Sequence, residues 1–375
     1  MTSHAQHDLD WMRRALALAE QGMYRTAPNP RVGCVLVRAG ELLGEGSTQP
    51  AGSDHAEVQA LKDARARGHT LHGATAYVTL EPCSHYGRTP PCAKALIEAG
   101  VARVVAAMQD PDPRVAGRGL AMLREAGIET QCGLLEAPAR ELNIGFVKRM
   151  LHGRPWVRLK VAATLDGRTA LANGRSQWLT GEAARLDGHR WRARACAVLT
   201  GVGTVLADDP RLTVRGVETP RQPQRILLDS GLRVAPSARL FDSEGALVVC
   251  ADLDSPAMAA RAEALRARGA QVLALPNAAG KVDLGAVLDL LGERQINELH
   301  LEAGYKLNGS WLREGLVDEL LVYLAPSVLG NDAVGMFGLP PFERLEDRPL
   351  LHFHSVEALG EDLRILARAR PQTSF

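Results

Sequence analysis

The stretch Ala74-Thr75-Ala76-Tyr77-Val78-Thr79-Leu80-Glu81-Pro82-Cys83 decides how the first half of the chain is read. Its apolar run from Ala74 to Leu80 predicts a buried strand that delivers a cysteine just past its end. Working back from it, the sequence predicts a helix from about His55 to Ala66. Before that come two strands, Val32 to Val37 and Leu42 to Glu45, joined as a hairpin by the turn at Ala39-Gly40. An amphipathic helix over Asp8 to Gln21 precedes them, with Leu9, Met12, Leu16 and Ala19 at helical spacing and Gly22 as its stop. Working forward, a helix runs from about Cys92 to Ala99, closed by Gly100, and a strand from Arg103 to Ala107. The alternation predicts a mostly parallel sheet covered by helices on both faces.

The chemistry gathers around the same stretch. His55-Ala56-Glu57 precedes it, Cys83 ends it, and Cys92 follows after eight intervening residues. Zinc takes imidazole nitrogen and thiolate sulfur in a tetrahedron, and a catalytic site uses three protein ligands with the fourth position open. His55, Cys83 and Cys92 supply three. Bound zinc lowers the pKa of a water towards ~7. Glu57, two residues after the histidine, is placed to move that water's proton to a departing amine without being a ligand. This is the H-x-E…P-C-x-x-C logic of zinc nucleobase deaminases, with a longer spacer. Ser53 and Asp54 are expected to cap the helix, and both His55 and Cys92 to lie at helix N-termini, where the partial positive charge favours thiolate. A fourth ligand would close the site, so His85 in the spacer is expected to be a loop residue near substrate.

The 375 residues exceed one ordinary core, since single domains cluster at ~100–200 residues. A boundary is expected in the polar run through Lys148, Arg149, His152, Gly153, Arg154 and Pro155, dividing the chain into domains 1–150 and 151–375. The second half again alternates strands and helices and closes on two strands, Leu351 to Ala358 and Asp362 to Ala369, expected as an antiparallel edge. Gly201-Val202-Gly203 follows a strand, yet Leu206 stands where a dinucleotide fingerprint has its last glycine, so no Rossmann motif is read. Glu302-Ala303-Gly304-Tyr305-Lys306-Leu307-Asn308-Gly309-Ser310, between a strand and a helix from about Gly309, is the stronger phosphate cradle. Arg192 and Arg215 are candidate phosphate forks.

Composition narrows the function classes. There are 44 Lys+Arg against 43 Asp+Glu, a net charge of +1, and only 4% aromatics, which argues against a basic channel or a base-stacking platform for nucleic acid. No window reaches the ~18 apolar residues of a membrane span, and the first ten residues lack an apolar signal core. Six scattered cysteines do not form a secreted disulfide framework, so a cytoplasmic protein is expected. Cys34, Cys196 and Cys250, in or beside apolar strands, are expected to be small buried hydrophobes.

The segment Pro82-Cys83-Ser84-His85-Tyr86-Gly87-Arg88-Thr89-Pro90-Pro91-Cys92, with Pro28-Asn29-Pro30-Arg31-Val32-Gly33, His55-Ala56-Glu57 and Gln109-Asp110-Pro111, closely resembles the bifunctional diaminohydroxyphosphoribosylaminopyrimidine deaminase/5-amino-6-(5-phosphoribosylamino)uracil reductase family of riboflavin synthesis. The eight-residue spacer is the rule there. The resemblance continues through Leu165-Asp166-Gly167-Arg168, Ser176-Gln177-Trp178, Thr204 to Pro210 and Glu302-Ala303-Gly304, from about Asp10 to Ala369. It implies a cytidine-deaminase-like three-layer α/β/α domain followed by a dihydrofolate-reductase-like α/β domain that uses NADPH. Hydrolytic removal of a pyrimidine amino group would precede reduction of the ribosyl group to ribityl. By the resemblance, Ala162, Trp178, Thr204, Asp208, Ser230 and the segment Gly304, Tyr305, Lys306, Leu307, Asn308, Gly309, Ser310 contact the cofactor. Ser176, Arg192, Leu212, Arg215 and Glu302 contact the substrate, a small phosphorylated pyrimidine. Lys160, Asp166 and Glu302 are candidate proton donors for the reduction.

Two other classes compete with this reading. One is a zinc deaminase of a free base or single-stranded nucleic acid with a non-catalytic C-terminal binding domain; the other is a regulatory protein with a closed zinc site. Charge and aromatic content disfavour the first, and Glu57 beside only three ligands disfavours the second. No nucleic acid or membrane partner is expected, and a homo-oligomer is.

Overall fold

Gly33 opens the first strand because nothing larger fits: a Cβ there would stand 1.9 Å from the carbonyl oxygen of Ala15 on the N-terminal helix. The computed structural model describes residues 3–84, 91–113, 115–243 and 245–370, so His85 lies outside the described residues. Two compact units divide at Gly153/Arg154.

In the first unit, α1 (Ser3–Glu20) leads into the hairpin β1 (Gly33–Arg38) and β2 (Glu41–Ser47). Then follow α2 (Ala56–Ala66), β3 (Thr75–Val78), α3 (Cys92–Glu98), β4 (Arg103–Ala106), α4 (Arg118–Glu125), β5 (Glu129–Cys132), α5 (Glu136–Leu142) and α6 (Ile144–His152). The sheet order is β2-β1-β3-β4-β5. It is mixed, not mostly parallel as expected, because β1 pairs antiparallel with both β2 and β3 while β3, β4 and β5 are parallel. The tight turn forces the first pairing, and β1 then lies between two strands that run the other way.

Alternation sets the faces. Gly33 and its partner Ser47 face α1, so the paired Cys34 and Gly46 face the other side, where α2 packs. A Cβ on Gly44 or Gly46 would approach the carbonyl oxygens of Ala60 and Ala56 to 2.6 and 2.7 Å. These two glycines let α2 lie close on the sheet, which fixes the height of its first residues over the strand ends. The polar run in which the boundary is expected is helical as far as His152, because Phe146 and Val147 pack on the core; Gly153, at φ 71°, ends it.

The second unit comprises β6 (Trp156–Thr164), β7 (Arg168–Ala170), α7 (Glu182–Arg194), β8 (Ala197–Gly201), α8 (Val202–Asp208), β9 (Gln224–Leu228), β10 (Leu247–Cys250), α9 (Pro256–Arg266), β11 (Gln271–Ala274), α10 (Leu284–Glu293), β12 (Glu298–Leu301), α11 (Tyr305–Arg313), β13 (Glu319–Ala325), β14 (Val334–Gly335), β15 (Leu351–Leu359) and β16 (Asp362–Ala369). Nine strands form one sheet, ordered β11-β10-β9-β8-β12-β6-β13-β16-β15. The pairings from β11 to β13 are parallel, and β16 and β15 add the expected antiparallel edge. The C-terminal ends of β9, β8, β12 and β6 therefore open side by side along one edge, where ligands bind in open α/β sheets. Among the described residues no helix is long and apolar enough to cross a membrane.

Candidate active sites

In the first unit, three elements converge at the edge where β2 and β3 end. His55 is the N-cap of α2, in extended conformation, with no side-chain cap on the helix. Asp54, one of the expected caps, instead accepts from Gln59 and Lys62. Cys83 lies beyond β3, and Cys92 is the first residue of α3, so its backbone N–H is free to donate to the Cys83 Sγ at 3.3 Å. The His55 Nδ1 stands 3.3 Å from the Cys92 Sγ and 3.7 Å from the Cys83 Sγ. Bonds of ~2.3 Å to sulfur and ~2.0–2.1 Å to nitrogen at a tetrahedral angle put those atoms about 3.6 Å apart. One ligand atom from each of the three residues lies within 4.8 Å of the others. Soft thiolates with imidazole, at this spacing, fit zinc.

The electrostatics agree with that donor set. The Cys83 thiol is pulled down to about 4, chiefly by the hydrogen bond it shares with the Cys92 thiol and then by His55; Cys92 is pushed up, chiefly by that same shared proton. A cation binding both sulfurs takes that proton's place. Glu57, in the first turn of α2, is 4% exposed. Burial first and Cys83 second push its carboxyl up to about 7, which suits a group that must take and return a proton near neutrality. Cys34, Cys196 and Cys250 are buried free thiols.

In the second unit, Arg192 on α7 and Glu302 just past β12 meet at two points, Nε to Oε1 at 2.8 Å and Nη2 to Oε2 at 2.9 Å, and the Arg192 Nη1 donates to the Thr213 carbonyl at 2.6 Å. Leu212, at φ 55° and buried, carries the chain into this contact. The Arg215 backbone N–H donates to the His189 Nδ1 at 3.3 Å. Burial would raise the Glu302 carboxyl, but Arg192, then His300 and Lys160, hold it well below the usual carboxylate range. Burial lowers the Lys160 ammonium, against the pull of Glu302. Lys160 and Glu302 thus belong to one cluster. Asp166 does not: its carboxylate accepts from Thr164 and from the backbone of Leu329 and Gly330.

The expected cofactor segment is not a loop. α11 starts at Tyr305, four residues before the expected Gly309, with Gly304 as its N-cap. A Cβ on Gly304 would lie 3.9 Å from the Thr204 Oγ1, and one on Gly201 would lie 2.8 Å from the Leu307 side chain, so the β8–α8 and β12–α11 turns are neighbours. Asp208 ends α8, and burial raises its carboxyl. Ala162 is half-buried on β6; the Ser230 Oγ accepts from the Val282 backbone at 3.2 Å. Tyr305 is partly exposed with Lys306 over its ring, and the Ser310 hydroxyl donates back to the Lys306 carbonyl. Two members of the segment turn inward. Asn308 is buried and donates to the Met336 carbonyl, and a Cβ on Gly309 would strike the Gly338 carbonyl oxygen at 2.2 Å. Ser176 and Trp178 lie ahead of α7, Trp178 70% exposed with the Arg185 guanidinium over its ring. Sequence reasoning missed His189 and the fully buried His300, whose Nε2 is 3.4 Å from the Glu302 Oε1. The alternation His300-Leu301-Glu302, which puts both on one face, was the available signal.

Residues 5–108 match the cytidine and deoxycytidylate deaminase zinc-binding region, and residues 155–365 match the RibD C-terminal domain. The riboflavin biosynthesis protein RibD of Escherichia coli (strain K12) is 49% identical over 365 residues, covering 94% of this chain and 97% of that protein. The chain belongs to the RibD family. The RibD of Aquifex aeolicus is 42% identical over 96% of this chain and 97% of its own. A solved RibD from Acinetobacter baumannii superposes with a TM-score of 0.89 at 42% identity, over 98% of this chain and 100% of that one. A diaminohydroxyphosphoribosylaminopyrimidine deaminase/5-amino-6-(5-phosphoribosylamino)uracil reductase from Thermotoga maritima gives 0.86 at 34% identity, over 98% and 100%. RibD membership makes the chain a bifunctional deaminase and reductase of riboflavin biosynthesis, with a cytidine-deaminase-like first fold and a dihydrofolate-reductase-like second one.

Proposed function

We propose that the first unit hydrolytically deaminates 2,5-diamino-6-(5-phosphoribosylamino)pyrimidin-4(3H)-one, and that the second then reduces the ribosyl chain with NADPH to give 5-amino-6-(5-phosphoribitylamino)uracil. The observation that carries the first half is the His55, Cys83, Cys92 triangle with Glu57 buried beside it. His55, Cys83 and Cys92 would hold zinc, which when bound supplies Lewis acidity and a water acidic enough to react at neutral pH. Glu57, buried beside that triangle, would hold a proton and return it to the leaving amine. Burial keeps its pKa near that task and excludes bulk water.

For the second half, Ala162, Thr204, Asp208, Ser230 and the N-cap and first residues of α11, Gly304 to Leu307, would hold NADPH, with Trp178 against it. When bound, it supplies the hydride. The first-turn backbone N–H groups of α11, with no intrahelical acceptor of their own, suit its phosphates. Asn308 and Gly309 support that turn from behind. Glu302, oriented by Arg192, and Lys160 face the sugar, while Arg215, Leu212 and Ser176 border the substrate side. Of the candidate proton donors, Lys160 remains: its pKa is lowered, whereas Glu302 is held ionised and Asp166 is committed to its turn. A cytoplasmic homo-oligomer acting on small phosphorylated pyrimidines, with no nucleic-acid partner, fits the free cysteines and the balanced charge.

Zinc analysis coupled to two assays tests the reading. The purified chain should hold about one equivalent of zinc, release ammonia from the diaminopyrimidine, and then consume NADPH. Ammonia release without NADPH consumption would sink the reductase half.

A further inference from the structure

Glu81 sits two residues before the proposed ligand Cys83, is 4% exposed, and among the described residues makes no ion pair. Its carboxylate collects four backbone N–H groups instead. Oε2 accepts from Asp110 at 3.0 Å and Gly117 at 2.9 Å; Oε1 accepts from Gly119 at 2.8 Å and Leu120 at 3.2 Å. Gly117 is the N-cap of α4 and has no side chain to cap with, so Glu81 supplies the cap from another part of the chain. The Pro82 carbonyl presses so closely on α4 that a Cβ on Gly119 would be 1.9 Å from it. On its other side, Cys83 is tied to α3, its carbonyl accepting from Ala93 and its sulfur from Cys92. The ligand segment is therefore held between two helix N-termini, and Glu81 makes the α4 side of that grip.

We propose that Glu81 is a positioning residue of the deaminase site, whose carboxylate sets where the Cys83 sulfur stands by locking Glu81-Pro82-Cys83 to α4 and to the turn that starts at Gln109-Asp110-Pro111. This rests on Cys83 being a zinc ligand. Groups behind metal ligands typically change affinity or activity by about 10–100-fold when removed. A carboxylate offers four lone-pair sites to these donors, whereas an amide turns an NH₂ against two of them.

The test compares zinc affinity by chelator competition, and the thiolate-to-metal absorption of the cobalt-loaded full chain, in native protein, Glu81→Gln, Glu81→Asp and Met12→Ala. Met12→Ala empties a fully buried site on α1, an element apart from the Glu81-Pro82-Cys83 segment, and destabilises the same unit. Glu81→Gln should bind zinc about 10–100-fold more weakly with a shifted cobalt band, while Met12→Ala keeps the native band and loses affinity only in step with stability. If Glu81→Gln does not fold, Glu81→Asp decides, since it keeps the charge and loses reach. Native zinc affinity and cobalt band in the Glu81 variants, or losses that track stability equally in all three, would overturn the proposal. Absence of zinc from the native chain would instead overturn the ligand assignment itself.

Discussion

Arg192 and Glu302 bind each other through two parallel hydrogen bonds of 2.8 and 2.9 Å, although one sits on a helix and the other beyond a strand. Read from sequence they were two separate substrate contacts, with Arg192 a free phosphate fork. In the fold, the arginine edge that faces Glu302 is committed, and the pair acts as one unit.

Arg192→Ala should therefore do more than remove a phosphate contact, because it takes away the two-point partner of the Glu302 carboxylate. A charge-assisted hydrogen bond is worth ~1.5–3 kcal/mol, so kcat/KM for the phosphorylated substrate should fall about 10–100-fold. KM for NADPH should move far less. Arg192→Lys should not rescue, since an ammonium cannot make the two-point contact. Steady-state kinetics in both substrates checks this, and equal effects on the two KM values would remove Arg192 from the substrate side.

Cys83→Ser and Cys92→Ser should each lose zinc and deaminase activity, because a hard hydroxyl replaces a soft thiolate. Metal analysis after gel filtration reads the outcome. Full occupancy in either variant would break the ligand set.

Gly304, the N-cap of α11, and Gly309, inside it, should separate. A methyl on Gly304 meets its nearest neighbour at 3.9 Å, so Gly304→Ala should fold normally and raise KM for NADPH if the cofactor lies there. Gly309→Ala drives a Cβ into the Gly338 carbonyl and should cost ~1–3 kcal/mol, a Tm drop of roughly 2–4 °C per kcal/mol. Thermal melts with NADPH kinetics distinguish the two, and a normal melt for Gly309→Ala would contradict the packing.

His189 should make the second unit acid-sensitive. Burial, with Arg192 and Arg215 facing it, lowers its pKa from 6.5 to about 4, against opposition from Glu302. Below 6.5 the unfolded chain takes up a proton that the folded histidine refuses until about 4. The group's contribution is thus fully present above 6.5 and lost as pH falls through that window. His189→Gln should show a smaller fall in Tm between about pH 7 and about pH 5 than the native chain. An unchanged fall would put the acid sensitivity elsewhere.

The closeness of His55, Cys83 and Cys92 was legible because these residue types are rare together and Cys83 ends a short apolar strand. The hairpin and the antiparallel edge at β15 and β16 were legible from turns and alternation. α7 was not, because its packed face carries Asp187, Trp191 and Arg192 in place of an apolar stripe, so no helical period shows. The early start of α11 was hidden by glycines that read as loop, one of which is there for packing. Glu81 gave no signal of its own, since its four partners lie more than twenty residues away in sequence.

Glu57 is proposed to move protons at a zinc site that works independently of the reductase unit. Glu57→Gln measures this most directly, with zinc content, ammonia release and NADPH oxidation followed on the same protein. The expected outcome is native zinc, ammonia release down by ~10²–10⁴-fold, and near-native NADPH oxidation when the already deaminated pyrimidine is supplied. Native ammonia release from a chain with full zinc would contradict it.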